Sequence, residues 1–159
     1  MNLNIGFDDA LIKKYVGRGR SPIFTIYWTQ DQAAYPEEQW LDFGAVLLSW
    51  WLIAARSLLE GAAEAELSFM DGPFRLKARR VGNLLYVSAD DQPWQWRTPL
   101  ETFVAELLRA TSQVQQKFLD LGVPDREGLQ VGVEQLRAAM SRAKAGAVVS
   151  RTVVAERVA

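Results

Sequence analysis

The sequence predicts an α+β fold: an antiparallel sheet of about five to six strands packed against a central apolar helix and two C-terminal helices. Three observations predict it. Strand-like and helix-like segments come in runs, in the order β-β-α-β-β-β-β-α-α, without the alternation that builds parallel sheets. The longest uncharged apolar run, residues 43–55 between Asp42 and Arg56, is 13 residues long. That is short of the roughly 20 residues that span a bilayer and suits a buried helix. The chain has 159 residues, 49% hydrophobic and 23% charged, the balance of one domain with one sizeable core.

The elements follow in order. Leu3, Ile5 and Phe7 alternate with polar residues and read as a first short strand. Asp8 to Val16 reads as a turn and a short helix, and Gly17 to Arg20 as a basic loop. Ile23 to Trp28 is rich in β-branched and aromatic residues and reads as a strand. After a connector from Asp31 to Tyr35, Pro36 suits the first position of a helix and Glu37 and Glu38 its first turn. That helix is expected to run to about Glu60, with Gly61 at its end and Trp40, Trp50 and Trp51 in the core.

A β-rich stretch comes next. Leu67 and Phe69 alternate with polar neighbours, and Met70-Asp71-Gly72-Pro73 is turn chemistry. Phe74, Leu76 and Ala78 alternate with Arg75, Lys77 and Arg79, a half-buried strand with a basic outer face. Gly82-Asn83 marks a turn, Leu84 to Ser88 a strand, and Asp90 to Pro93 another turn before a short strand holding Trp94 and Trp96. Thr98-Pro99-Leu100-Glu101 has the form of a capping box. The helix it starts is expected to continue to Leu121, where Gly122 and Pro124 stop it. A last helix is expected between Asp125 and Ala145. Nothing divides the chain, so residues 1–159 read as one domain, with 146–159 as a frayed C-terminal tail.

Composition narrows the function. Histidine and cysteine are both absent. Serine triads, cysteine–histidine dyads, disulfides and zinc sites built on either residue are therefore excluded. Carboxylates remain as the main route to acid–base chemistry. The adjacent pairs Asp8-Asp9, Glu37-Glu38 and Asp90-Asp91 are no diagnostic dyad, because sequence neighbours do not normally face each other. No phosphate loop, dinucleotide fingerprint or calcium loop occurs. The expectation is no catalytic residue, no cofactor and no metal. A net charge of −1 argues against general affinity for nucleic acid or acidic membranes. The N-terminus, Met1 to Asp9, carries two acids and no basic run and is not expected to be a signal peptide.

Charge is unevenly spread. From Asp31 to Asp71 there are eight acids and one base, Arg56, whereas Arg75, Lys77, Arg79 and Arg80 follow with no acid among them. The acids form either one patch that attracts a basic partner or a set of solvated helix ends and strand edges. The four bases are the alternative candidate, for phosphate-bearing ligands. The turn at Asp71 either joins two strands and nothing more, or holds an acid on a rigid tip.

The stretch Tyr35-Pro36-Glu37-Glu38-Gln39-Trp40-Leu41-Asp42-Phe43, then Ser49-Trp50-Trp51, then Phe69-Met70-Asp71-Gly72-Pro73 resembles small bacterial immunity proteins found beside polymorphic or contact-delivered toxins. The resemblance covers roughly residues 23–120. It implies a non-catalytic cytoplasmic protein that binds a cognate toxin, encoded next to it, and occludes the toxin's active site. The net charge of −1 adds the expectation of no nucleic-acid and no membrane partner. On this reading the partner-binding residues are Asp31, Tyr35, Asp71, Asp90 and Asp91, with Trp28 and Trp94 as apolar anchors. The alternative is a structural or regulatory protein-interaction module, homodimeric in one form.

Overall fold

A computed structural model describes the backbone of residues 1–158 and the side chains of residues 1–147. Among the described residues there are eight strands and four helices. They are β1 (Asn2–Gly6), α1 (Asp9–Gly17), β2 (Phe24–Gln30), β3 (Ala33–Tyr35), β4 (Leu41–Asp42), α2 (Gly44–Leu59), β5 (Glu64–Ser68), β6 (Arg75–Val81), β7 (Leu84–Ser88), β8 (Gln95–Pro99), α3 (Leu100–Leu121) and α4 (Leu129–Val158). The fold is α+β, as expected, but the strands form two antiparallel sheets of four rather than one of five to six. Alternation tells which face of a strand is buried and says nothing of which strands pair.

In the first sheet β2 is central. It pairs with β1 on one side and with both β3 and β4 on the other. The expected connector at Asp31 is a tight hairpin, with Asp31 and Gln32 both at positive φ, 54° and 67°. That backbone twist matches two antiparallel strands, and with no glycine in the turn the pattern was silent. The second sheet is a simple meander, β5-β6-β7-β8.

The helix expected from Pro36 starts eight residues later, at Gly44. Leu41 and Asp42 pair with Thr25 and Phe24, and the Trp40 carbonyl accepts the Ile26 amide at 2.8 Å. These bonds hold the chain extended where local preference favoured a helix. Trp40 therefore lies outside α2. Gly44 is needed at the start, because a Cβ there would overlap the Phe24 ring.

α2 is the centre of the core. Its face from Ala45 through Leu48, Trp51, Ala55 and Leu58 is buried. It packs against β5, α3 and α4. Trp51 donates its indole N–H to the Ser68 carbonyl at 3.0 Å. The Trp28 ring lies 5.7 Å from that of Trp51 and stacks on Phe103 at 5.5 Å. Trp50, expected in the core, is 43% exposed on the opposite face beside Ile53.

The capping box before α3 does not form. Thr98 is buried in β8 opposite Leu85, and Leu100 donates its amide to Asn83 O at 2.8 Å. The strand ladder holds the backbone up to Pro99, so Thr98 is not free to cap. The far end is as expected, with Gly122 left-handed at φ 66°. At the start of α4 the Asp125 carboxylate accepts the amides of Leu129 and Gln130 at 2.8 and 2.9 Å. The backbone continues α4 past Ala145 to Val158. The side chains of 148–158, and so most of the expected tail 146–159, lie outside the described residues.

Candidate functional site

Three connections meet at one end of the molecule: residues 36–40 between β3 and β4, 69–74 between β5 and β6, and 89–94 between β7 and β8. Two buried polar side chains hold them together. The first is Tyr35, at the end of β3. Its ring packs edge-on against Phe69, Phe74 and Trp94 at 5.8, 6.0 and 5.7 Å. Its hydroxyl accepts the Arg75 amide at 3.1 Å and shares its one proton between the Arg75 carbonyl and the Asp91 carboxylate, each at 3.2 Å. Burial pushes the Tyr35 phenol up. The bond to the Arg75 backbone opposes that shift, and the Asp91 and Asp90 carboxylates add to it.

The second is Asp42. Its carboxylate accepts the Trp40 indole N–H at 3.2 Å and the amides of Phe43, Met70 and Asp71 at 2.7, 3.1 and 3.2 Å. It thus ties the turn after β5 to the strand before α2. Trp40 in turn meets the Phe74 ring edge-on at 5.1 Å. Trp94 stacks on the buried Trp96 with ring centres 4.0 Å apart and planes within 5°.

On this framework several side chains reach solvent. Asp71 and Asp91 are exposed, as are Glu37 and Glu38 in the first connection. Met70 is 45% exposed, with Trp40, Phe74 and Trp94 half-buried. Asp90 is exposed and ion-paired with Lys77 at 2.8 Å, which holds its carboxyl below the usual range. The surface is a pinned set of carboxylates around apolar and aromatic groups.

Of the residues the sequence pointed to, Asp71, Asp90, Asp91 and Trp94 are brought together here. Asp31 is not. It sits at the β2–β3 turn, where its carboxylate accepts the Gln30 side-chain amide at 3.4 Å, and that amide also reaches the Arg97 carbonyl of β8. Trp28 and Tyr35 need correction as contact residues, since both are buried. Trp28 lies on the inward face of a central strand, with Phe24 and Ile26, so it packs the core. Tyr35 positions the loops from beneath.

The acids from Asp31 to Asp71 do not form one patch. Asp42 is spent internally. Glu60 pairs with Arg56 and Arg142, at 3.9 and 2.9 Å, where α2 ends. Glu64 and Glu66 face Arg79 and Lys77 across strands. Of the four bases, Arg80 turns inward to cap α2 at the Leu58 carbonyl and bonds the Gly82 carbonyl at 2.9 Å.

Sequence reasoning missed Asp42, Met70 and Phe74. A signal for Asp42 was present. An acid bordering a 13-residue uncharged run must find donors if it is drawn into the core with it. Among the described residues, no group of three or more acids is placed to hold a metal ion. No helix among them is long and apolar enough to cross a membrane.

The class these features define is an α+β protein of two antiparallel sheets with an acidic and aromatic loop end. No protein-family model, curated protein or solved structure matches the chain.

Proposed function

We propose that the protein is a non-catalytic cytoplasmic immunity protein that binds a cognate toxin at its loop end and occludes the toxin's active site. The observation that carries this is the convergence of Asp71, Asp91, Trp94 and Met70 on one surface pinned by Tyr35 and Asp42. A pre-organised surface loses little freedom on binding. Half-buried aromatics supply desolvated area, and carboxylates pair with basic groups lining a phosphate-binding or nucleic-acid-binding cleft. The resemblance at residues 35–43, 49–51 and 69–73 points the same way. The absence of histidine and cysteine favours binding over acid–base or thiolate chemistry.

The test is coexpression with the product of the neighbouring gene. That product is expected to stop growth alone and to be harmless beside this protein. Alanine at Asp71, Asp91 or Trp94 is expected to weaken the complex, by about 2 kcal/mol or more where the residue is a hot spot. A neighbouring product that is harmless on its own sinks the proposal.

The second reading is a structural or regulatory interaction module. The exposed Trp50 and Ile53 of α2 and Val131 of α4 favour it, because large apolar side chains left in water mark contact surfaces. Light scattering of the protein alone separates the two, since a stable homodimer supports the second.

A further inference from the structure

The solvent side of the second sheet carries four bases among the acids Glu64 and Glu66 of β5, and two of those bases form no ion pair. The register sets Arg79, Tyr86 and Arg97 side by side across β6, β7 and β8. Lys77, Ser88 and Gln95 form the next row, and Arg75 follows along β6. The alternate residues Leu76, Ala78, Val87 and Trp96 are buried, so these rows face water. Lys77 is paired with Asp90, and Arg75 lies 3.8 Å from Glu66. Arg79 and Arg97 differ from them. Among the described residues, neither guanidinium has a carboxylate within ion-pair distance. Arg79 instead lies over the Tyr86 ring, 5.5 Å from its centre.

We propose that the Arg79–Tyr86–Arg97 row is a second docking surface, for a short acidic segment of a partner protein. The two arginines stand two strands apart, about 10 Å by the spacing of strands in a sheet. Carboxylates at positions i and i+3 of a polyproline-II chain, which repeats every three residues, share one face and stand about 9 Å apart, at roughly 3.1 Å per residue. Each guanidinium offers a carboxylate a two-pronged hydrogen bond, and Tyr86 fills the space between. The open, flat face suits a macromolecule rather than an enclosed small ligand.

Its chemistry favours protein over nucleic acid. One aromatic ring lies in the patch and a guanidinium already covers it, so there is no platform on which successive bases stack. Glu64 and Glu66 border the patch on β5, and Asp90 and Asp91 border it at the loop end. A long polyphosphate chain would run into these acids, while a short acidic segment fits between them. This surface adjoins the loop end at Asp90 but does not depend on that reading.

The test is a titration of the isotope-labelled full chain with a hexaglutamate peptide, followed by amide chemical shifts. Saturable shifts centred on Arg79, Tyr86 and Arg97 are expected, weakening with added salt. The double variant Arg79→Gln/Arg97→Gln, both changes being on the surface, is expected to bind about tenfold more weakly, the loss of two exposed charge pairs. An unchanged titration in that variant, or shifts centred elsewhere, overturns the site. A short thymidylate oligonucleotide that binds the same residues more tightly than hexaglutamate overturns the choice of partner. Inorganic phosphate that matches the peptide's affinity reduces the site to simple anion adsorption and overturns it too.

Discussion

Asp42 receives four hydrogen bonds while 1% exposed. A carboxylate taken out of water needs donors that replace the lost hydration, and here three backbone amides and an indole supply them. The same arrangement leaves those donors dependent on it. Asp42→Ala strands all four, and removal of one partner from a buried hydrogen bond costs about 1–3 kcal/mol. The expected loss in urea unfolding is therefore about 3 kcal/mol or more, and a loss under about 1 kcal/mol would contradict the role given to this residue. Tyr35→Phe keeps the ring contacts and removes the hydroxyl, so about 1–2 kcal/mol is expected. It also carries a pH signature. The folded phenol is held above its ordinary value near 10, so its contribution is full below that value and is lost as pH rises through the folded one. Stability measured from pH 8 upward should therefore fall more steeply in the native protein than in Tyr35→Phe.

At the scale of elements, the ends of helices and the edges of sheets are set by contacts between distant segments. Gly44→Ala is expected to destabilise by about 1–3 kcal/mol, the usual effect of overpacking, because the new methyl meets the Phe24 ring. Thermal or urea unfolding checks it, and a neutral result would mean that Phe24 has room to move. The outer edge of β1 is closed by α3. Glu106 accepts the Leu3 amide at 2.8 Å and Arg109 donates to the Leu3 carbonyl at 2.6 Å, so the two side chains stand where a further strand would pair. The hydrogen bond from Arg109 holds the Glu106 carboxyl below its usual range, and the Leu3 amide adds to that against the effect of burial. A depressed carboxyl contributes stability that is present above the unfolded value, about 4.3, and is lost as pH falls through the folded one. The acid limb of a stability–pH curve should therefore be shallower in Glu106→Gln, and identical limbs would remove the latch. Neither the Gly44 contact nor the β1 latch is legible in sequence. Where α1, α3 and the strands of the second sheet lie was legible, because hydrophobic period and turn residues are local signals. The start of α2 and the pairing of β3 and β4 were not, because bonds to β2 decide them.

Over the whole molecule, the legible part of the candidate site is what lies on turns: Asp71, Asp90, Asp91 and Trp94. Turn chemistry marks a residue as exposed without any knowledge of the fold. Trp28 and Tyr35 looked equally accessible, and were buried because β2 is central and three loops close over β3, which no local pattern records. The same closure makes the two sheets interdependent. Tyr35 of the first sheet bonds Arg75 of the second, Asp42 holds the turn after β5, and Trp51 of α2 bonds β5 while packing on Trp28 of β2. Removing either sheet would expose the aromatic face of the other, so neither has a core of its own. A single cooperative transition is therefore expected. Tryptophan is placed to report it, with Trp28 in the first sheet, Trp51 in α2 and Trp96 in the second. In urea, tryptophan fluorescence and far-ultraviolet circular dichroism should give coincident curves for the native protein. Asp42→Ala, which cuts one tie and leaves the aromatic packing, should shift both curves to lower urea together. If fluorescence changes before the secondary structure does, or if the variant splits one transition into two, the sheets fold as separate units and Asp42 belongs to the boundary between them.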